Sequence, residues 1–109
     1  MTYTYKQAFP TGALGAGNVT IDTVPAGVVH QIRSVTVHNP TAAVIVFTAN
    51  IVAPAGSSAS TNQLIKRSIG VNESYMCPEL LNKTLIAGNT VVFNGQNLNA
   101  EMSVAEVVQ

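Results

Sequence analysis

Between Val28 and Val52 the chain runs VVHQIRSVTVHNPTAAVIVFTANIV, and no other stretch is so dense in β-branched residues. Val, Ile and Thr crowd the preceding turn of a helix but pack well on a pleated surface, so such a run favours strands. The expectation is two long strands joined by a turn at Asn39-Pro40-Thr41, a hairpin around which the remaining strands wrap. In the first strand Val28, His30 and Ile32 share one face, whereas Val35 and Val37 fall on the other. A bulge near Arg33-Ser34 would restore a single inward face and add twist. The second strand, Ala42 to Val52, is apolar on both faces at Val44, Ile45, Val46 and Phe47. That pattern belongs to a central strand, or to one whose outer face meets another subunit.

The flanking sequence has the same period. Tyr3 and Tyr5 alternate with Thr2, Thr4 and Lys6, as in an edge strand or an ordered arm, and PTGALGAG at 10–17 reads as its Gly-rich hinge. The division expected is an arm or edge strand at 1–17 and one domain at 18–109. Val19, Ile21 and Thr23 lie opposite Thr20 and Asp22, and Pro25-Ala26-Gly27 closes that strand. The small-residue segment APAGSSASTN at 53–62 is a surface loop. Ile65, Arg67, Ile69 and Val71 alternate with Leu64, Lys66 and Ser68, while Pro78 keeps the next segment out of a central ladder. Asn94-Gly95 signals a type I′ hairpin, and Leu98, Ala100, Met102, Val104 and Val108 share one face of a final strand. Seven or eight short strands separated by turn signals predict an all-β fold, an antiparallel β-sandwich of jelly-roll-like form.

Composition narrows the function classes. Apolar residues make up 47% of the 109, enough for a core, but charged residues only 9%, against roughly 25% in ordinary soluble domains. Five basic residues offset five acidic ones, and only Lys66-Arg67 form a pair, so no basic stripe is present to engage nucleic acid. A near-neutral domain lacks the charge that keeps copies apart, which suits a surface covered by partners. The lone Cys77 excludes an internal disulfide. The opening MTYTYKQAFPTG lacks the basic and apolar regions of a secretory leader, and no apolar run approaches the ~20 residues that span a bilayer. Folding in a cytosol is expected, without membrane contact.

No catalytic constellation emerges. His30 and His38, eight residues apart, are separated by roughly 26 Å on a straight strand, too far to share one metal. They read as strand histidines with hydrogen-bonding roles, and Cys77 as a buried thiol. Glu101 and Glu106 differ by an odd number, so a regular strand points them to opposite faces. Phosphate loops, dinucleotide fingerprints and nucleophile elbows are missing. No enzyme activity, cofactor or metal is therefore expected. With no Trp and only six scattered aromatics, glycan binding is a weaker alternative, served at best by Tyr3 and Tyr5. A cupin-like enzyme would require a His-x-His spacing that is not present.

QIRSVTVHNPTAAVIVFTANIV, the small-residue loop after it, and QLIKRSIGVNESYMCPELLNKTLIAGNTVVF with its closing strand resemble small β-sandwich structural proteins of tailed bacteriophages. The resemblance includes Leu85-Ile86-Ala87-Gly88-Asn89-Thr90 before a hydrophobic strand, with Asn89 where that group usually carries an acidic residue. It implies a non-enzymatic virion component made in a host bacterial cytoplasm: a capsid cement or decoration protein, or a neck or tail attachment protein. Its expected partners are further copies of itself, as dimer or trimer, and coat or neck proteins. Candidate interface residues are Tyr3, Tyr5, Val44, Ile45, Val46 and Phe47.

Overall fold

The turn after His38 decides the architecture. In the computed structural model, which describes residues 2–108, strands β3 (Val28–His38) and β4 (Ile45–Val52) do not pair with each other. They lie in different sheets, so the expected hairpin is instead a crossover between layers. Asn39 is the cause. Its buried side chain donates from Nδ2 to the carbonyls of Ala43 at 2.7 Å and Ile69 at 2.9 Å. Its Oδ1 accepts from the Thr41 amide at 2.9 Å and the Thr41 hydroxyl at 2.7 Å. A buried amide with every bond satisfied is worth keeping in place, and this one ties the turn to the opposite layer. The strand after the turn accordingly begins at Ile45 rather than at Ala42.

The remaining strands are β1 (Thr2–Ala13), β2 (Asn18–Thr23), β5 (Gln63–Ile69), β6 (Ser74–Tyr75), β7 (Thr84–Leu85), β8 (Thr90–Asn94) and β9 (Asn99–Val108). A single 3₁₀ turn covers Ser60–Asn62. The first sheet has the order β1-β9-β3-β6, with β7 also on β3; the second has β2-β8-β4-β5. All pairings are antiparallel. The protein is thus an all-β antiparallel sandwich, with nine strands among the described residues, two of them only two residues long, where the sequence predicts seven or eight. The pairs β1·β9, β2·β8, β3·β6/β7 and β4·β5 nest inside one another, as if one long hairpin had been wrapped until β9 met β3 and β8 met β4.

Period-two burial explains which side chains fill the space between the sheets. Ile32, Val35, Val37, Met102 and Val104 point in from the first sheet; Phe47, Ile65, Ile69 and Phe93 point in from the second. Phe47 and Phe93 meet edge to face with centroids 5.0 Å apart. The expected bulge is present: the β3–β9 register shifts between Ile32 and Ser34, which turns both Ile32 and Val35 inward. Asn94-Gly95 does not make a hairpin, because β8 and β9 belong to different sheets. The positive φ falls on Asn97, at 75°, and a Cβ on Gly95 would lie 2.6 Å from Leu98 Cδ1.

The first half of the Gly-rich stretch at 10–17 is strand, since β1 runs through Pro10 to Ala13, and Leu14 after it is buried. β1 is the edge of the first sheet, where a missing amide at Pro10 is tolerated. Its first six residues, Thr2–Gln7, are exposed on both faces.

Candidate interaction surfaces

The six residues singled out from sequence divide into three groups. Tyr3 and Tyr5 lie on β1, 60% and 71% exposed. In register, Tyr3 neighbours Val107 and then Val29, and Tyr5 neighbours Ala105 and then Gln31. These positions alternate with the inward-facing Val104 and Ile32, so they lie on the outer face of the first sheet. The Arg33 guanidinium, freed by the bulge, sits 5.5 Å from the Tyr5 ring centroid. Cation and ring attract at this separation, so the arginine props Tyr5 on the sheet surface.

Val44, just before β4, and Val46, near its start, form the second group, 61% and 51% exposed. Val46 pairs with Ser68 and faces outward from the second sheet, away from the tyrosines. Ile45 and Phe47 are the third group, and here the sequence reading is corrected. Ile45 packs against the core and Phe47 is fully buried. On a central strand the core takes every second side chain, so a run apolar at four successive positions presents only its alternate members. The candidates therefore do not form one surface; they lie on opposite faces of the sandwich.

The structure also assembles a polar chain that the sequence did not announce. His30 Nδ1 lies 2.6 Å from Asp22 Oδ2, with both residues buried. His30 Nε2 is 3.6 Å from Glu106 Oε1 and has no hydrogen-bond partner. Lys6 Nζ donates to Glu106 Oε2 at 3.0 Å. One line of polar side chains thus runs from β2 through β3 and β9 to the edge strand β1. The Lys6 hydrogen bond holds the Glu106 carboxyl below its usual range, with a smaller contribution from His30. Asp22 reaches His30 because the β2–β8 register shifts between Thr20 and Asp22, turning the aspartate inward. Strict alternation had left it facing solvent. The arrangement links the two sheets and fastens β1. Among the described residues no three His, Cys, Asp or Glu side chains gather as a metal site.

Two further clusters complete the polar inventory. Burial, with help from Glu79, pushes the Cys77 thiol up to about 12, so it stays protonated and unreactive at neutral pH. Beside it the Tyr75 hydroxyl donates to the Glu79 carboxylate, at 2.5 and 2.6 Å to its two oxygens, while the Arg67 guanidinium stacks 4.2 Å from the Tyr75 ring centroid. The Glu79 bond raises the Tyr75 pKa by stabilising its protonated form. On the outer face of the first sheet, Gln7, Thr11, Thr36, His38, Asn99 and Glu101 line an open groove of about 390 Å³. His38 Nδ1 is 2.7 Å from the Ser74 hydroxyl. No helix among the described residues is long and apolar enough to cross a membrane.

No protein-family model matches the chain, and no curated protein matches it. Among solved structures, a chain in the structure of infectious bursal disease virus Gx strain is similar at 12% identity, with a TM-score of 0.39. The similarity covers 98% of this chain and 32% of that one, so the protein spans about a third of the relative's length.

Proposed function

We propose that the protein is a non-enzymatic structural component of a virion, a cement or decoration protein that binds the coat of a tailed bacteriophage as an oligomer. The observation that supports this most is the character of the two outer faces. With charged residues at 9%, the sandwich exposes Tyr3 and Tyr5 on one side and Val44 and Val46 on the other. Depletion of charge around apolar and aromatic side chains is the composition of interface cores rather than of free surface. A rigid two-sheet body with apolar groups on opposite faces suits a clamp between neighbouring subunits. The nested strand order is, on this reading, the wrapping of a jelly roll.

The test is cosedimentation of purified protein with phage particles and with emptied capsids, together with its mass in solution. Saturable binding at hundreds of copies per particle supports the cement role, whereas six or twelve copies indicate a neck or tail position. A monomer with no affinity for any particle surface overturns the proposal. One observation favours a second reading, a glycan-binding host-recognition module. The groove around Glu101, Asn99 and His38 offers a carboxylate, an amide and an imidazole to sugar hydroxyls. A positive glycan array without particle binding selects it.

A further inference from the structure

A sandwich has four sheet edges, and three of them here are guarded against pairing with another chain. Strands β6 and β7, at one edge of the first sheet, are two residues long. At the edges of the second sheet, β5 carries Lys66 and Arg67, and β2 is broken by a register shift. Shortness, charge and bulges are the devices that blunt an open row of amides and carbonyls. The fourth edge, β1, is guarded only in its second half. Pro10 lies there, and the register against β9 shifts between Gln7 and Phe9 and again between Phe9 and Gly12. The first half, Thr2–Gln7, keeps unbroken register with Val108–Ser103 and contains no Pro and no bulge. Its one charge, Lys6, is ion-paired with Glu106 on the adjacent strand.

We infer that Thr2–Gln7 is a pairing edge for the same segment of a second copy, joining two sandwiches through one continuous antiparallel sheet. Resting on the assembly role proposed above, this names the partner and the surface. The sequence of the edge is what selects a second copy. Antiparallel pairing about a two-fold axis at Thr4 sets position 3 against 5 and position 2 against 6, and Thr2-Tyr3-Thr4-Tyr5-Lys6 places compatible side chains at each of those pairs. On that axis Thr4 faces Thr4 of the second copy, each Tyr3 faces Tyr5, and each Lys6 faces Thr2, so like charges are not opposed. Aromatic–aromatic and Thr–Thr pairs are among the cross-strand pairs that stabilise sheets. The four tyrosines would form one ladder on the outer face, flanked by the two Arg33 side chains. Zero net charge removes long-range repulsion between copies. Because the contact is isologous, it closes as a dimer instead of propagating as a fibre.

Sedimentation equilibrium from micromolar to near-millimolar concentration tests the pairing. The wild-type chain is expected at twice its 11.4 kDa mass, and the double variant Tyr3→Lys/Tyr5→Lys at 11.4 kDa with a cooperative thermal transition close to that of dilute, dissociated wild type. Val46→Asp, on the opposite face, leaves the dimer intact. A Thr4→Cys variant treated with a short bis-maleimide gives a crosslinked dimer, and the buried Cys77 does not compete. Wild-type protein that stays monomeric throughout, or a dimer that survives the double variant and gives no Thr4→Cys crosslink, overturns the inference. A monomer that still binds phage particles refutes the edge pairing alone, whereas a dimer without particle affinity supports the pairing and refutes the virion role.

Discussion

Strands β1 and β4 both present apolar or aromatic residues to solvent, but they do so under different constraints. β4 lies between β8 and β5, so its backbone groups are paired on both sides and its alternate residues Phe47 and Ala49 fill the core. Only Val46 and the flanking Val44 are left for a partner. β1 has a neighbour on one side, and its first six residues are all exposed, so it offers a free backbone edge and both faces. A central strand can lend a partner isolated side chains, whereas an edge strand can lend a whole ladder. For that reason substitutions on β4 separate sharply into core and surface, while those on β1 should alter association and spare the fold.

The largest effect is expected inside β4. Phe47→Ala removes a fully buried ring that meets Phe93, and should cost about 3–5 kcal/mol in urea unfolding. Val46→Asp, one residue away, should stay within about 0.5 kcal/mol, as for surface positions generally. Equal losses at the two sites would erase the distinction between the faces of β4. The next effect concerns what holds β1 to the body. His30→Leu deletes the partner of buried Asp22 and should destabilise by about 1–3 kcal/mol, because a buried acceptor loses its hydrogen bond. A neutral outcome would mean that the Asp22–His30–Glu106–Lys6 line contributes nothing.

Acid should produce the smallest effect. Glu106 is held below the ordinary carboxylate range in the folded protein, chiefly by Lys6. The folded state therefore favours the ionised form. The contribution is fully present above the ordinary carboxylate pKa and is lost as pH falls through the depressed folded value. Lys6→Ala should flatten the part of the acid-stability profile below that ordinary value, measured as the urea midpoint against pH. An unchanged profile would show that the ion pair does not fasten the edge strand.

Much of the fold was legible because burial in a sheet repeats every two residues. The inward set Ala100, Met102 and Val104 on β9, the bulge at Arg33, and the exclusion of residues around Pro78 from a central ladder all follow from that period and from proline chemistry. Alternation fails where a register shift intervenes, and it did so at Asp22, which therefore met His30 unannounced. It also does not say which of two apolar faces the core will take, so Val46 and Phe47 looked equivalent before the sheets were packed.

By itself, then, the sequence determined that this chain builds strands, how each strand divides its side chains, and that the surface would be poor in charge. These are local properties, set by β-branched residues, turn residues and composition. Tertiary structure decided which strands share a sheet. Val28–Val52 satisfies its pattern equally well as a hairpin or as a crossover, because both bury the same alternate residues. The crossover is held by Asn39, whose amide donates to the carbonyl of Ile69 in β5, thirty positions further on. A contact at that separation can be read only after the layers have met.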